Sequence, residues 1–146
     1  MMSPEGEKII FHSEDIDFSL PNSTLVFDWI EKSIHAEDKA LHQLNFIFCS
    51  DKYLHQINVE YLNHDTLTDV ITFPYAEGKN IEGDIFISID RIKENAAQFK
   101  VSFEDELHRV MIHGTLHLMG YFDKTPDDKI LMTEKENEYL NMLSKL

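Results

Sequence analysis

The 146 residues contain one cysteine, Cys49, so the chain cannot form an intrachain disulfide. The preceding residues 45–48 are largely apolar and typical of a core strand, and the thiol is therefore expected to be buried and unreactive. Disulfides are rare in cytosolic proteins because the cytosol keeps thiols reduced. A reducing cytoplasm is thus the predicted compartment.

Long apolar runs are also missing, since no stretch approaches the roughly 20 residues that a membrane-spanning helix requires. Residues 1–7 are acidic and lack the basic and apolar regions of a signal peptide. We therefore predict a cytoplasmic protein with no membrane partner. No repeat, low-complexity segment or linker is found, and a single domain over residues 1–146 is the simplest organisation.

Positive charge is scarce. Thirteen Lys and Arg residues stand against 27 Asp and Glu residues, the formal net charge is −14, and Arg91 and Arg109 are the only arginines. Proteins that hold nucleic acid by themselves usually present basic surface, because phosphate neutralisation dominates their affinity. Composition therefore argues mildly against a nucleic-acid substrate, which would have to be held by a local lysine patch, a metal ion or a partner.

The hydrophobic pattern predicts one layered α+β domain with a mixed sheet of about four strands and about five helices. Strands are expected near residues 9–11, 44–48, 70–73 and 85–89; in the last, Ile85, Ile87 and Ile89 share one face. Ser102 with Asp105 predicts the start of a helix that runs to about residue 120. Residues 125–128 predict the start of the final helix.

The most informative segment contains two histidines four residues apart, His113 and His117. On a helix these side chains share one face, with Cβ atoms about 5–6 Å apart, so both imidazoles can bind one metal ion. Gly120 follows three residues later, where glycine commonly ends a helix. The chain can then turn back and present Asp123 to the same ion. Three protein ligands leave one coordination position for water, which is typical of a catalytic zinc-type site at the end of a central helix.

Two alternatives remain open at this point. Histidine pairs at this spacing also occur by chance, although the glycine stop and the third donor favour metal binding. Asp123 could face away from the histidines, with a water molecule filling its place. The other histidines are expected to be solvated or, for the last of them, to point elsewhere on the helix: His12, His35, His42, His55, His64 and His108.

Gly114 directly follows the first histidine of the pair. Glycine inside a helix costs about 1 kcal/mol relative to alanine, which predicts a close approach of substrate or of another backbone beside the metal. Zinc proteases place a general-base glutamate at this position, in the pattern H-E-x-x-H. The usual peptide-hydrolysis machinery is therefore absent.

Residues 113–123, HGTLHLMGYFD, resemble the hallmark H-G-x-L-H-L-x-G-Y-D-H of the YbeY-type endoribonucleases and agree with it at nine of eleven positions. Residues 68–73, TDVITF, are similar to the family's T-D-V-L-S-F, and residues 82–88, EGDIFIS, to its G-D-I-x-I-S. Met132 and Glu136 match a weaker M-x-x-x-E pattern. The resemblance covers residues 57–136.

The resemblance implies a single-strand-specific metalloendoribonuclease that acts in 16S rRNA 3′-end maturation and ribosome quality control. It also implies one zinc ion, or another divalent metal, bound by His113, His117 and the residue at position 123. Ribosomal RNA and the small ribosomal subunit would be the partners, and DNA is not expected.

The sequence departs from the family at the third ligand, where the family has histidine and this chain has Asp123, preceded by Phe122 in place of aspartate. A carboxylate can bind zinc at about 2.0–2.2 Å, so coordination is retained in principle. It lowers the net charge of the site from +2 to +1. We infer a weaker Lewis acid, a less acidified water and greater tolerance of harder ions such as manganese.

A second departure is Leu62, where the family has arginine in a stretch that corresponds to residues 57–65. Guanidinium matches phosphate bidentately, so that arginine is a plausible phosphate clamp, which leucine cannot replace. His64 could substitute as a weak donor, although a solvated loop position is the more common role.

Metal-assisted hydrolysis of an RNA phosphodiester is the expected chemistry, with a metal-bound water as nucleophile. The sequence shows no dedicated general base. Asp69 and Glu136 are candidates on resemblance only, and either could be structural.

The competing hypothesis is a metal-stabilised, ribosome-associated binding protein with little or no nuclease activity, favoured by the acidic composition, Leu62 and the altered third ligand. A third hypothesis, a hydrolase that acts on another small substrate, is supported only by the acidic surface.

Overall fold

A computed structural model describes residues 8–64 and 66–146; the acidic residues 1–7 and Asp65 lie outside the description. This part of the chain forms four strands and five helices, which confirms the α+β prediction. The elements, in chain order, are β1 (Ile9–Ser13), α1 (Ser23–Ala36), β2 (Ala40–Cys49), α2 (Asp51–Leu62), β3 (Val70–Pro74), β4 (Asn80–Ser88), α3 (Ile89–Phe99), α4 (Phe103–Leu118) and α5 (Pro126–Ser144).

The sheet is mixed, with the strand order β1-β2-β4-β3. β1, β2 and β4 are parallel, whereas β3 runs antiparallel to β4 and forms one edge. Thr72 of β3 lies opposite Ile85 of β4, and Ile71 lies opposite Phe86. Directly opposed residues project to the same face, so these two pairs mark the two faces of the sheet.

The main hydrophobic core lies against the sheet face that carries Ile85 and Ile87. Three helices contribute large, fully buried side chains to it: Trp29 from α1, Met111 from α4 and Tyr139 from α5. On the opposite face, α2 covers a smaller cluster. Its buried members are Cys49, Leu54 and Ile71.

The helix starts that the sequence announces are present. The hydroxyl of Ser102 accepts a hydrogen bond from the backbone N–H of Asp105 at 3.0 Å and caps α4. Thr125 and Asp128 form a reciprocal capping box at the start of α5. These caps satisfy backbone donors that a helix leaves unpaired in its first turn. They therefore define the start of the two helices that build the site.

β4 ends one residue earlier than predicted. The sequence pattern places Ile89 in the strand with Ile85 and Ile87, but β4 ends at Ser88, and Ile89 is the first residue of α3. The reason is local, because the Ser88 hydroxyl accepts a hydrogen bond from the backbone N–H of Arg91 at 3.2 Å and caps the helix. Ile89 is still buried, which is why an apolar pattern alone could not separate the two elements.

Cys49 is fully buried at the end of β2, and its thiol donates a long hydrogen bond to the carbonyl oxygen of Ile87. Burial raises the pKa of the thiol from 9.0 to about 12, with a smaller contribution from the charge of Asp15. The predicted burial of Cys49 is confirmed. Within residues 8–64 and 66–146, no helix combines the length and apolar character needed to span a bilayer.

Candidate metal centre

The last two turns of α4 place His113 and His117 on the same helix face. Their Nε2 atoms lie 3.0 Å apart, and the rings meet nearly at right angles. The helix ends after residue 118, and Gly120 adopts a positive φ of 100° that turns the chain back. As a result, Oδ2 of Asp123 lies 3.2 Å from Nε2 of His113 and 3.3 Å from Nε2 of His117.

The protonation of both imidazoles is fixed by groups behind the site. Nδ1 of His113 lies 2.6 Å from Oε2 of Glu136, and Nδ1 of His117 lies 2.9 Å from the backbone oxygen of Tyr121. Carboxylate and carbonyl oxygens only accept, so both Nδ1 atoms carry the proton. When both rings are neutral, their Nε2 lone pairs are directed at each other and at Asp123. Three electron-pair donors that converge in this way form a site that a cation could occupy.

The spacing of the three atoms tests whether a metal ion fits. A tetrahedral ion with bonds of roughly 2.0–2.1 Å separates its ligand atoms by about 3.3 Å. The three observed separations of 3.0, 3.2 and 3.3 Å fall close to this value. His113, His117 and Asp123 thus form a cluster that could hold a metal ion. The alternative in which Asp123 faces away is not seen.

Glu136 lies behind His113 and not at the open side of the triad. Its second carboxylate oxygen accepts a hydrogen bond from Arg109 at 2.7 Å, and the side chain is largely buried. Burial alone would lower the pKa of His113, but the hydrogen bond and the charge of Glu136 outweigh it and raise that pKa. Carboxylates that accept from a metal-binding histidine fix its orientation and raise its basicity. This position suits orientation of His113 better than proton transfer to substrate.

A second set of contacts holds the loop after α4. The hydroxyl of Tyr121 donates to Oε1 of Glu37 at 2.5 Å. The other oxygen of Glu37 accepts from Lys135 at 3.0 Å and from the hydroxyl of Tyr139. Burial would raise the pKa of Glu37, but these three hydrogen bonds outweigh it and lower that pKa. Because the carbonyl of Tyr121 accepts from His117, this cluster indirectly fixes the second imidazole.

The triad opens into a cleft of about 430 Å³ along the outer edge of β3, called the metal cleft below. Asp69 lines it, and its Oδ2 accepts a hydrogen bond from Asn95 at 3.2 Å. Burial raises the pKa of Asp69, although the charge of His113 opposes this. Leu62 and His64 also line the cleft, so the position of the family's arginine lies at the same cleft as the triad. Among the described lining residues none is a lysine or an arginine.

Gly114 does not have the role that the sequence predicted. It is buried, and a Cβ at this position would lie 2.9 Å from Cγ2 of Ile85 and 3.4 Å from Cγ2 of Thr72. The glycine therefore allows α4 to pack closely on the side chains of β3 and β4. Side chains, and not another backbone, approach it from the sheet, so the predicted reason for this glycine was wrong and its cause is helix–sheet packing.

The remaining histidines are not part of the triad, although His64 lines the metal cleft. His108 points elsewhere on α4 and packs edge-on against Trp29 with ring centroids 5.7 Å apart. Burial lowers its pKa. His55 is half-buried on α2 rather than fully solvated. The others are exposed, as predicted: His12, His35, His42 and His64.

Sequence reasoning missed the residues that orient the triad, above all Glu37, Tyr121 and Arg109. The distance along the chain explains this, because Tyr121 and Glu37 are 84 positions apart and no local pattern connects them. Tyr121 does lie inside the histidine segment. Its position between Gly120 and Asp123 was the sequence feature that could have indicated a role in orienting the triad.

Comparison with known proteins identifies a family and several relatives. The family described as Endoribonuclease YbeY matches residues 9–144. The chain is 52% identical over 134 residues to Endoribonuclease YbeY of Flavobacterium psychrophilum, covering 92% of this chain and 96% of that protein. It is 42% identical over 135 residues to Endoribonuclease YbeY of Parabacteroides distasonis, covering 92% and 95%.

A solved structure shares the architecture. The solution structure of TM1509 from Thermotoga maritima superimposes with a TM-score of 0.66 at 29% identity, covering 92% of this chain and 88% of that one. The family match extends over the sheet, all five helices and the metal-binding segment. On the strength of both the sequence matches and the shared fold, the chain belongs to the Endoribonuclease YbeY family.

Proposed function

We propose that residues 1–146 act as one domain that hydrolyses phosphodiester bonds of single-stranded RNA at the His113, His117 and Asp123 cluster. We further propose a role in 16S rRNA 3′-end maturation and ribosome quality control, with the small ribosomal subunit as partner and the cytoplasm as location. The observation that carries the hydrolase assignment is the convergence of three electron-pair donors, 3.0–3.3 Å apart, beside an open cleft. Family membership supplies the RNA substrate.

Zinc is the proposed ion, since two imidazoles and one carboxylate are a donor set that zinc accepts in catalytic sites. When bound, such an ion acts as a Lewis acid that polarises a phosphoryl oxygen and acidifies water. Asp123 in place of a neutral ligand reduces the positive charge of the site, so harder divalent ions such as manganese remain candidates.

Asp69 is the proposed proton acceptor. It lines the cleft beside His113, and Asn95 holds its Oδ2 by a hydrogen bond. Burial raises the pKa of its carboxyl, which strengthens it as a base relative to an exposed aspartate. Glu136, the other candidate from the sequence, is engaged by Arg109 and His113 and is proposed as a positioning residue instead.

A second candidate function is a metal-stabilised, ribosome-associated binding protein with little or no nuclease activity. The cleft supports it in one respect, because none of its described lining residues is a lysine or an arginine and Leu62 occupies the arginine position. An RNA-cleaving enzyme must position a phosphate without that help. The two functions differ only in whether cleavage follows binding.

The deciding experiment incubates the purified protein with 5′-labelled single-stranded RNA, with and without a chelator, and with His117→Ala as a control. For the hydrolase, we expect cleavage that is lost with the chelator, restored by added zinc or manganese, and absent in the variant. A duplex of the same sequence should resist cleavage. If the chelator lowers the melting temperature but no RNA is ever cleaved, the binding-protein function is correct.

A further inference from the structure

We propose that a second cleft, the aromatic groove, binds a nucleobase of the same single-stranded RNA that enters the metal cleft. This inference rests on the proposed function and adds a base-binding subsite to it. The groove has a volume of about 560 Å³ and lies between α2 and the β3–β4 edge of the sheet. Its aromatic lining consists of Tyr53, Tyr61, Phe73, Tyr75 and Phe86.

The aromatic rings of the groove form a connected set. Phe86 stacks with Tyr53 at 6.4 Å between centroids and meets Phe73 edge-on at 5.7 Å. Phe73 in turn meets Tyr61 edge-on at 6.2 Å. Tyr61 is nevertheless 70% exposed and Tyr75 is 60% exposed, high values for two large rings at one groove. These exposed faces can accept another flat ring.

The rim of the groove is held in place. The hydroxyl of Tyr75 donates to Oδ2 of Asp84 at 2.7 Å, and Oδ1 of Asp84 accepts from Asn45 at 2.9 Å. The exposed ring of Tyr75 is therefore fixed by β4 and β2 and does not need to be ordered when a ligand binds. Preorganisation of this kind lowers the entropic cost of binding.

The aromatic groove and the metal cleft are lined by different residues, but neighbouring positions of α2 and β3 connect them. Leu62, the last residue of α2, lines the metal cleft, and its neighbour Tyr61 lines the groove. On β3, Ile71 lines the metal cleft and Phe73, two residues further on the same face, lines the groove. Two residues of a strand span about 7 Å. A strand of RNA that leaves the metal cleft across this edge therefore reaches the groove without a detour.

Charge determines which part of the RNA the groove can hold. Among the described residues that line the metal cleft or the groove, none is a lysine or an arginine, and Glu60 and Asp84 stand at the groove. At the groove itself, phosphates are therefore disfavoured and must face solvent, whereas at the triad a bound cation would hold the phosphate. Stacking of bases on aromatic rings needs no positive charge and tolerates any base, and carboxylates accept hydrogen bonds from base amino groups. Single-stranded RNA with its bases turned inward fits these conditions.

The test compares Tyr61→Leu with the matched variant Tyr61→Phe in the zinc-loaded protein, using a single-stranded RNA of about eight nucleotides, within the span of one single-strand site. Tyr61 is mostly exposed, so neither substitution creates a cavity. We expect Tyr61→Leu to raise KM about tenfold with kcat changed much less, and Tyr61→Phe to keep KM within about twofold, because only the ring is needed. An abasic nucleotide at the position that occupies the groove should remove the difference between the two variants.

Binding measured without cleavage separates this inference from the proposed function. Fluorescence anisotropy with the same labelled RNA and chelator-treated protein should show the same loss of affinity for Tyr61→Leu, even if no cleavage is ever found. Equal affinity of Tyr61→Leu and Tyr61→Phe for RNA would overturn the base-binding subsite. A lysine-rich peptide that binds in a Tyr61-dependent manner and that RNA fails to displace would also overturn it, since the occupant of the groove would then be a protein.

Discussion

Oε2 of Glu136 lies 2.6 Å from Nδ1 of His113, so an acid on α5 decides which nitrogen of a histidine on α4 carries the proton. The arrangement leaves Nε2 free to bind a cation. Arg109 holds the other oxygen of the same carboxylate, which prevents the acid from turning toward the cleft. The first imidazole is thus oriented before any ion binds.

Replacing Glu136 with glutamine should therefore weaken metal binding without removing a ligand. The amide keeps the shape of the side chain but not its charge, and loss of such a partner typically costs about 10–100-fold in metal affinity. Competition with a chromogenic zinc chelator measures the change. Glu134→Gln, at an exposed acid on the same helix, is the control and should bind zinc like the unmodified protein. An unchanged affinity in Glu136→Gln would show that His113 is oriented by other means.

Asp123→Ala should lose most of the bound metal, since it removes one of three converging donors. We expect zinc affinity to fall about tenfold or more, measured by metal analysis after dialysis against a weak chelator. Asp127→Ala, an exposed acid on the first turn of α5, serves as the control. Equal metal content in the two variants would mean that Asp123 is not a ligand.

Gly114→Ala should destabilise the fold. Alanine gains about 1 kcal/mol of helix propensity, but its Cβ would lie 2.9 Å from buried Ile85, and overpacking of this kind typically costs about 1–3 kcal/mol. A net loss of about 1 kcal/mol is expected in urea unfolding. The loss should shrink in an Ile85→Ala background, where the obstructing methyl group is absent. The same cost in both backgrounds would contradict the packing explanation.

Glu37→Gln should lower metal affinity although Glu37 touches no ligand. Its carboxylate fixes Tyr121, whose carbonyl accepts from Nδ1 of His117. We expect a severalfold weaker zinc affinity, and a similar effect from Tyr121→Phe, which removes only the hydroxyl. Chelator competition measures affinity, and urea unfolding of the metal-free protein measures stability separately. A loss of stability with unchanged affinity would limit this cluster to a structural role.

The buried thiol of Cys49 should make stability depend on pH in the alkaline range. Its pKa is raised by burial to about 12 in the folded protein but is near 9.0 in the unfolded chain. Between these two pH values the unfolded state binds fewer protons than the folded state. The contribution of the neutral thiol to the free energy of unfolding is therefore complete below about pH 9 and decreases as the pH rises toward 12.

This decline is isolated by comparison with Cys49→Ala, because all other titrating groups are common to both proteins. The stability advantage of the unmodified protein over Cys49→Ala should shrink as the pH is raised from about 8 to about 11. Urea unfolding at each pH gives the difference. An advantage that is independent of pH would show that the thiol ionises equally in both states.

Sequence alone predicted the α+β class, the helix caps and the approximate strand positions, because these depend on local periodicity and turn chemistry. The triad could be predicted for the same reason: helical spacing aligns His113 with His117, and a positive φ at Gly120 returns the chain to Asp123. Strand order could not be predicted, since any pairing of four apolar segments satisfies the same pattern.

What the sequence could not show depends on contacts between distant elements. From the sequence, Gly114 was expected to allow a close approach of substrate or of another backbone. The structure instead places the side chains of Ile85 and Thr72 against it, and these belong to strands whose register no local signal gives. Glu136 was also a candidate base from the sequence. Its hydrogen bonds to Arg109 and His113, which point to a positioning role, form only when α5 packs on α4 and could not be predicted locally. Local sequence patterns therefore predicted the three donor residues, whereas the residues that contact and orient them depend on tertiary packing.

α5 supplies none of the three donors, yet it holds both imidazoles from behind. Glu136 contacts His113 directly, while Lys135 and Tyr139 act on His117 through Glu37 and Tyr121. Because α5 follows α4 in the chain, both histidines emerge during synthesis before the α5 residues that orient them. A nascent chain that has not yet reached α5 carries all three donors but lacks the contacts that orient them, so we expect tight ion binding only once that helix has formed.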